Sequence, residues 1–157
     1  MNRHILRVAA LALAIASPAI GDVLPEQVVF DGGAVSTSLT GRPGDPAEGA
    51  RIYASKALGN CVACHVVAAL PDAQWQGNVG PALDGAADRW SEAELRGIVA
   101  NAKMMFPGSR MPAFYKTTGF IRPGDGFTAK PAPKDYPPIL SAGQIEDVVA
   151  FLMTLRQ

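Results

Sequence analysis

The chain has 157 residues, 48% of them hydrophobic and 18% charged, with a formal net charge of 0 at neutral pH. That length fits one domain, and that composition belongs neither to a disordered chain nor to a membrane-spanning one. Nothing in it supplies the basic excess that nucleic-acid binding needs.

The first segment is read apart from the fold. Arg3, His4 and Arg7 make a basic start, Val8 to Ala16 is an unbroken apolar run, and small residues stand at Ala19 and Gly21. This is the pattern of a secretory signal peptide over residues 1–21, cleaved after Gly21. The apolar run is too short to span a bilayer, which weighs against an uncleaved anchor. The expected destination of the exported chain is the periplasm. Removal takes away Arg3 and Arg7 with no acid, so the net charge falls from 0 to −2. It also takes away His4, one of two histidines, and leaves His65.

Residues 22–44 are rich in Gly, Ser and Thr around one apolar piece, Val28-Val29-Phe30. They are expected to form an extended N-terminal arm with a short strand, disorder being the alternative. The main domain is expected over 45–157. It opens with a helix start: Asp45 as cap, Pro46 in the first position and Glu48 in the first turn. This helix is expected to run to about Leu58, where Gly59-Asn60 end it. Gly49 and Tyr53 share one of its faces, and a glycine there admits a close neighbour.

Residues 61–65 read Cys-Val-Ala-Cys-His. This is the attachment signature of haem c. Two thiols one helical turn apart reach the two vinyl groups on one porphyrin edge and form thioethers. The next residue, His65, then lies beneath the iron with an imidazole nitrogen. Covalent attachment spares a small domain the need for a deep pocket. A structural disulfide between Cys61 and Cys64 leaves the adjacent His unexplained. A thioredoxin-like pair wants a βαβ pattern, which is not found. Structural zinc needs four ligands, and the exported chain has only three Cys and His residues.

With one histidine and both thiols consumed, the second axial ligand is expected to be methionine. Met1 leaves with the signal, and Met153 falls on the apolar stripe of the last helix. Met111 stands in the loop Pro107-Gly-Ser-Arg-Met-Pro112, between prolines, where a side chain can approach the iron from the face opposite His65. It is the preferred candidate, with Met104 or Met105 as the rival. A haem with both axial sites filled transfers one electron and does not readily bind substrate.

Ser91 and Glu94 form a capping box for a second helix, through about Lys103, with Leu95, Ile98 and Val99 on one side. Ser141 and Gln144 form another for the last helix. Ile145, Val148, Val149, Leu152 and Leu155 make its buried stripe, with Phe151 beside them. Between these helices, Phe120 to Pro138 is a long Pro/Gly/Lys loop. The fold class is therefore all-α, about three main helices around one haem.

This order resembles the class I cytochromes c: an N-terminal helix, Cys-x-x-Cys-His, a Gly-Pro-x-Leu loop (here Gly80-Pro81-Ala82-Leu83), a methionine loop and a C-terminal helix. The resemblance implies that the Pro81 carbonyl accepts the other ring N–H of His65, the kind of support a ligating His usually has. It also implies that the first and last helices cross at Gly49, Tyr53 and Phe151. More narrowly, Gly59 to His65, Gly77 to Gly85, Arg110 to Lys116 and Tyr136 to Leu152 resemble the monohaem subunits of SoxAX cytochromes, from about Asp45 to the C-terminus.

That likeness implies an electron-transfer subunit paired with a SoxA-like haem subunit. The complex would couple thiosulfate oxidatively to a cysteine of a SoxYZ-like carrier, an L-cysteine S-thiosulfotransferase reaction, and pass electrons to a downstream cytochrome c. The sulfur chemistry would belong to the partner, since this chain has no third cysteine and no residue placed as an acid–base or nucleophilic catalyst. A freestanding periplasmic shuttle is the alternative, and a haem sensor with an open iron site is a third class. An obligate subunit should present an apolar interface, for which the arm from Val23 to Leu39 and the 120–138 loop are candidates.

Overall fold

A computed structural model describes residues 21–120, 130–131 and 135–157. The proposed signal segment, apart from Gly21, and most of the loop between Phe120 and Pro138 lie outside the described residues.

Four α-helices carry the described fold: α1 (Pro46–Ala54), α2 (Ala86–Arg89), α3 (Glu92–Asn101) and α4 (Ala142–Leu152). Short 3-10 turns stand at Pro25–Gln27, Cys61–Ala63 and Ala102–Met104. The three longer helices start at the expected caps. Asp45 accepts from the amides of Ala47 and Glu48, and Ser91 and Ser141 form full capping boxes with Glu94 and Gln144. Each cap satisfies backbone donors that a helix start leaves unpaired.

One boundary differs from expectation. Helix α1 stops at Ala54 rather than near Leu58. The Ser55 carbonyl accepts from Leu58 and Asn60 at 3.1 and 2.9 Å, closing a turn in place of the last helical turn. Asn60 then takes a left-handed conformation, φ 49°, which Asn tolerates better than most residues. The chain thereby changes direction immediately before Cys61.

Helices α1 and α4 cross closely. A β-carbon at Gly49 would overlap the Asp147 carbonyl and lie 2.9 Å from the Phe151 Cβ, so only glycine fits. The Tyr53 and Phe151 rings meet edge to face, 5.5 Å between centroids, a favoured aromatic geometry. Ile52 and Ile145 are fully buried at this centre, and each such side chain contributes about 1.5–3 kcal/mol by leaving water. The stripe expected on α4 is buried, including Leu155 just past the helix end.

The arm is packed rather than free. Val35, Leu39 and Thr40 are buried. Val28–Phe30 forms no strand; an isolated bridge joins Asp31 and Ala34 instead. The arm is tied to the helices by a buried ion pair. Arg96 of α3 donates from Nε to Glu146 Oε1 of α4 at 2.9 Å, and Glu92 also accepts from Arg96. From this pair, Arg96 Nη1 donates to the Val35 carbonyl at 2.9 Å, and Glu146 Oε1 accepts the Leu39 amide at 2.6 Å. Burial of the charges is thus offset by hydrogen bonds on both sides.

Candidate haem-binding site

The Cys-x-x-Cys-His stretch begins as a single 3-10 turn. Cys64 N and His65 N both donate to the Cys61 carbonyl, at 3.0 and 2.9 Å. This winds Cys61, Cys64 and His65 onto one short turn. Both thiols are free and half-buried. Burial pushes the Cys61 thiol up to about 12, with Cys64 as a smaller cause, so the sulfur is held in its neutral form at neutral pH. Among the described residues, no group of three Cys, His, Asp or Glu side chains converges as a metal cluster would need.

His65 is fixed from three directions. Its Nδ1 lies 2.8 Å from the Pro81 carbonyl oxygen. Such a bond makes Nδ1 the donor and leaves Nε2 as the lone-pair nitrogen. Its own carbonyl accepts the Tyr53 hydroxyl at 2.9 Å. Gly80 lies against the ring: a β-carbon there would clash with the imidazole, 2.2 Å from Cε1 and 2.5 Å from Nδ1. The segment bearing Gly80 and Pro81 is laid along the motif by Gly77 N to the Val62 carbonyl (2.7 Å) and Gly80 N to the Cys64 carbonyl (2.8 Å).

Two side chains that the sequence did not single out hold this loop. Gln76 accepts from Val67 N at 2.6 Å and donates to the Leu70 carbonyl at 2.9 Å. Arg89 donates to the carbonyls of Asp84 and Ala82 at 2.7 and 3.0 Å. Both bond to backbone, so no residue-type pattern marks them. Beside Gln76, Trp75 has φ 63° and is 85% exposed, and Val79 is 74% exposed. Trp90 instead packs edge to face on Phe106, 5.8 Å between centroids.

Met111 stands on a separate segment, after the 3-10 turn Ala102–Met104. It is half-buried and packs on the core cluster. Its carbonyl accepts Lys103 Nζ at 2.7 Å, and its amide donates to Ser109 Oγ at 3.2 Å. Met104 is 50% exposed, Met105 is half-buried, and Met153 is half-buried against the core.

A cytochrome c family model matches residues 46–156. The chain belongs to the cytochrome c family. It is also similar to a chain in the crystal structure of SoxXA from P. pantotrophus, with 60% sequence identity and a TM-score of 0.84, over 87% of this chain and 100% of that one. Among curated proteins no match is found. The all-α cytochrome c-like fold expected from the sequence is the one present.

Membership of this family brings covalently bound haem c, and the residues here fit it. Two free thiols and a histidine share one short turn, and that histidine keeps one ring nitrogen unbonded while the other is oriented by a carbonyl. Among the described residues, no helix is long and apolar enough to cross a membrane.

Proposed function

We propose that this chain is the electron-transfer haem c subunit of a SoxXA-type complex, exported to the periplasm. The observation that carries this reading is the 60% identity to a SoxXA chain matched over its whole length.

In this reading Cys61 and Cys64 would hold haem c through two thioethers, and His65 Nε2 and the Met111 thioether sulfur would ligate its iron. Haem c bound this way supplies one reversible one-electron couple, its potential raised by the methionine. Pro81 holds the His65 tautomer from its carbonyl, and Tyr53 and Gly80 hold the ring's position. An iron held by both His65 and Met111 would have no open site for a sulfur substrate, so the oxidative joining of thiosulfate to a carrier cysteine would take place on the SoxA-like partner. Electrons released there pass to a downstream cytochrome c.

The partner surface is proposed to include the exposed apolar side chains beside the motif, Trp75 and Val79. The inner face of the arm, Val35 and Leu39, is already covered by this chain's own helices and is removed from the candidates. Leu24 and Val29 of the arm remain exposed, at 55% and 79%.

Purification of the native protein from periplasm tests the reading. It is expected to elute with a second haem protein in one-to-one ratio. A strictly monomeric native protein contradicts it and leaves a freestanding shuttle.

A further inference from the structure

We propose that the arm, residues 22–44, braces the segment carrying Met111, with Tyr115 as a positioning residue. This rests on Met111 being an axial ligand, as proposed above. The arm lies outside the matched family region, which begins at residue 46, yet Val35 and Leu39 are only 2% and 1% exposed. It is an added element that the domain has built into its core.

The contacts form one continuous chain. Tyr115, four residues past Met111 and buried, donates its hydroxyl to the Val23 carbonyl at 2.6 Å. Val23 N donates to the Leu39 carbonyl at 2.7 Å. Leu39 N donates to Glu146, which is paired with Arg96. A second tie runs beside the first, from Thr117 Oγ1 to Glu26 of the arm. On its other side the Met111 segment is held by α3 and the approach to α4: Tyr115 N donates to the Ala100 carbonyl and Leu140 N to the Phe114 carbonyl, both at 3.0 Å.

The consequence is physical. A thioether is a weak ligand, and its hold depends on how firmly the chain presents it. One end of the Met111 segment is anchored by Lys103 to the 3-10 turn that follows α3. The other end is anchored to the arm, and the arm to the α3–α4 ion pair. Loosening the arm therefore raises the fraction of time the methionine is off the iron.

Imidazole titration of the ferric holoprotein, followed by visible absorption, reads that fraction. Added imidazole binds only where the side chain has left, so its apparent affinity scales with the open population. Tyr115→Phe is expected to raise that affinity about five- to tenfold, the worth of one buried hydrogen bond. Thr117→Ala, which leaves the buried ring in place and so covers failure of Tyr115→Phe to fold, is expected to raise it about twofold. Ile145→Val, a core change on α4 that removes no hydrogen bond to the arm, is expected to lower the denaturation midpoint and leave the imidazole affinity unchanged. The brace is overturned if both tie variants match wild type, or if Ile145→Val raises the affinity as much as they do. Met111→Ala separates the two readings. An unchanged ferric spectrum in that variant removes the ligand assignment itself, whereas a changed spectrum with silent tie variants removes the brace alone.

Discussion

The Tyr53 hydroxyl donates to the His65 carbonyl at 2.9 Å, so the helix that crosses α4 also holds the backbone of the haem motif's histidine. The same ring packs edge to face on Phe151. One side chain thus links the helix crossing to the attachment turn. Tyr53→Phe keeps the ring contact and removes the bond. It is expected to cost about 1 kcal/mol, with the histidine carbonyl left to find water. Denaturant midpoints at constant slope measure this, and an unchanged midpoint contradicts the link.

Arg96 and Glu146 are both 4% exposed and paired at 2.9 Å. Removing one partner strands the other charge. Glu146→Ala is expected to cost about 3–5 kcal/mol, and Arg96→Ala a similar amount. The double variant should lose less than the sum, because the stranding penalty is shared. Glu146→Ala also frees the Leu39 amide, so limited proteolysis should cut the arm before the rest of the domain. Full additivity, or an arm no more susceptible than in wild type, argues against this tie.

Gly80 leaves no room for a side chain against the His65 ring. Gly80→Ala must therefore shift the imidazole or the loop. Overpacking of this kind costs about 1–3 kcal/mol. The expected signature is a changed reduction potential and axial spectrum with covalent haem content kept, since Cys61 and Cys64 are untouched. A wild-type potential shows that the ring is not set by this contact.

Burial raises the Tyr115 phenol above its ordinary value, with the carboxylates of Asp22 and Glu26 adding to the shift. The neutral hydroxyl is the form that donates to Val23. A folded pKa above the unfolded value, about 10 for tyrosine, favours the protonated native state. Its stabilisation is whole below the unfolded value and is lost as pH rises through the folded one. Denaturation midpoints between neutral and strongly alkaline pH should therefore fall more steeply in wild type than in Tyr115→Phe. Parallel curves contradict this role of the hydroxyl.

Local signals carried most of the legible part. The caps at Asp45, Ser91 and Ser141 act over two or three residues, so sequence spacing alone reveals them. The close fit at Gly49 was read from its register with Tyr53 and from the family resemblance. The end of α1 is not legible, because the Ser55–Asn60 turn competes with a sequence that would otherwise continue a helix. The packed arm was not legible, because its partners are remote: Leu39 bonds Glu146 and Val23 bonds Tyr115, about a hundred residues away in each case. Gln76 and Arg89 carry no sequence signature, because their targets are carbonyls and amides, which every residue has.

Haem attachment in this protein rests on two proposed sulfur–carbon bonds, at Cys61 and Cys64. Its most direct measurement is the intact mass of the exported polypeptide, made in a host with cytochrome maturation machinery and extracted with acid acetone. The expected mass exceeds the polypeptide's by one haem, with the pigment in the protein pellet and stepwise loss of attachment in Cys61→Ala and Cys64→Ala. A colourless polypeptide, or pigment released into the acetone, would contradict it.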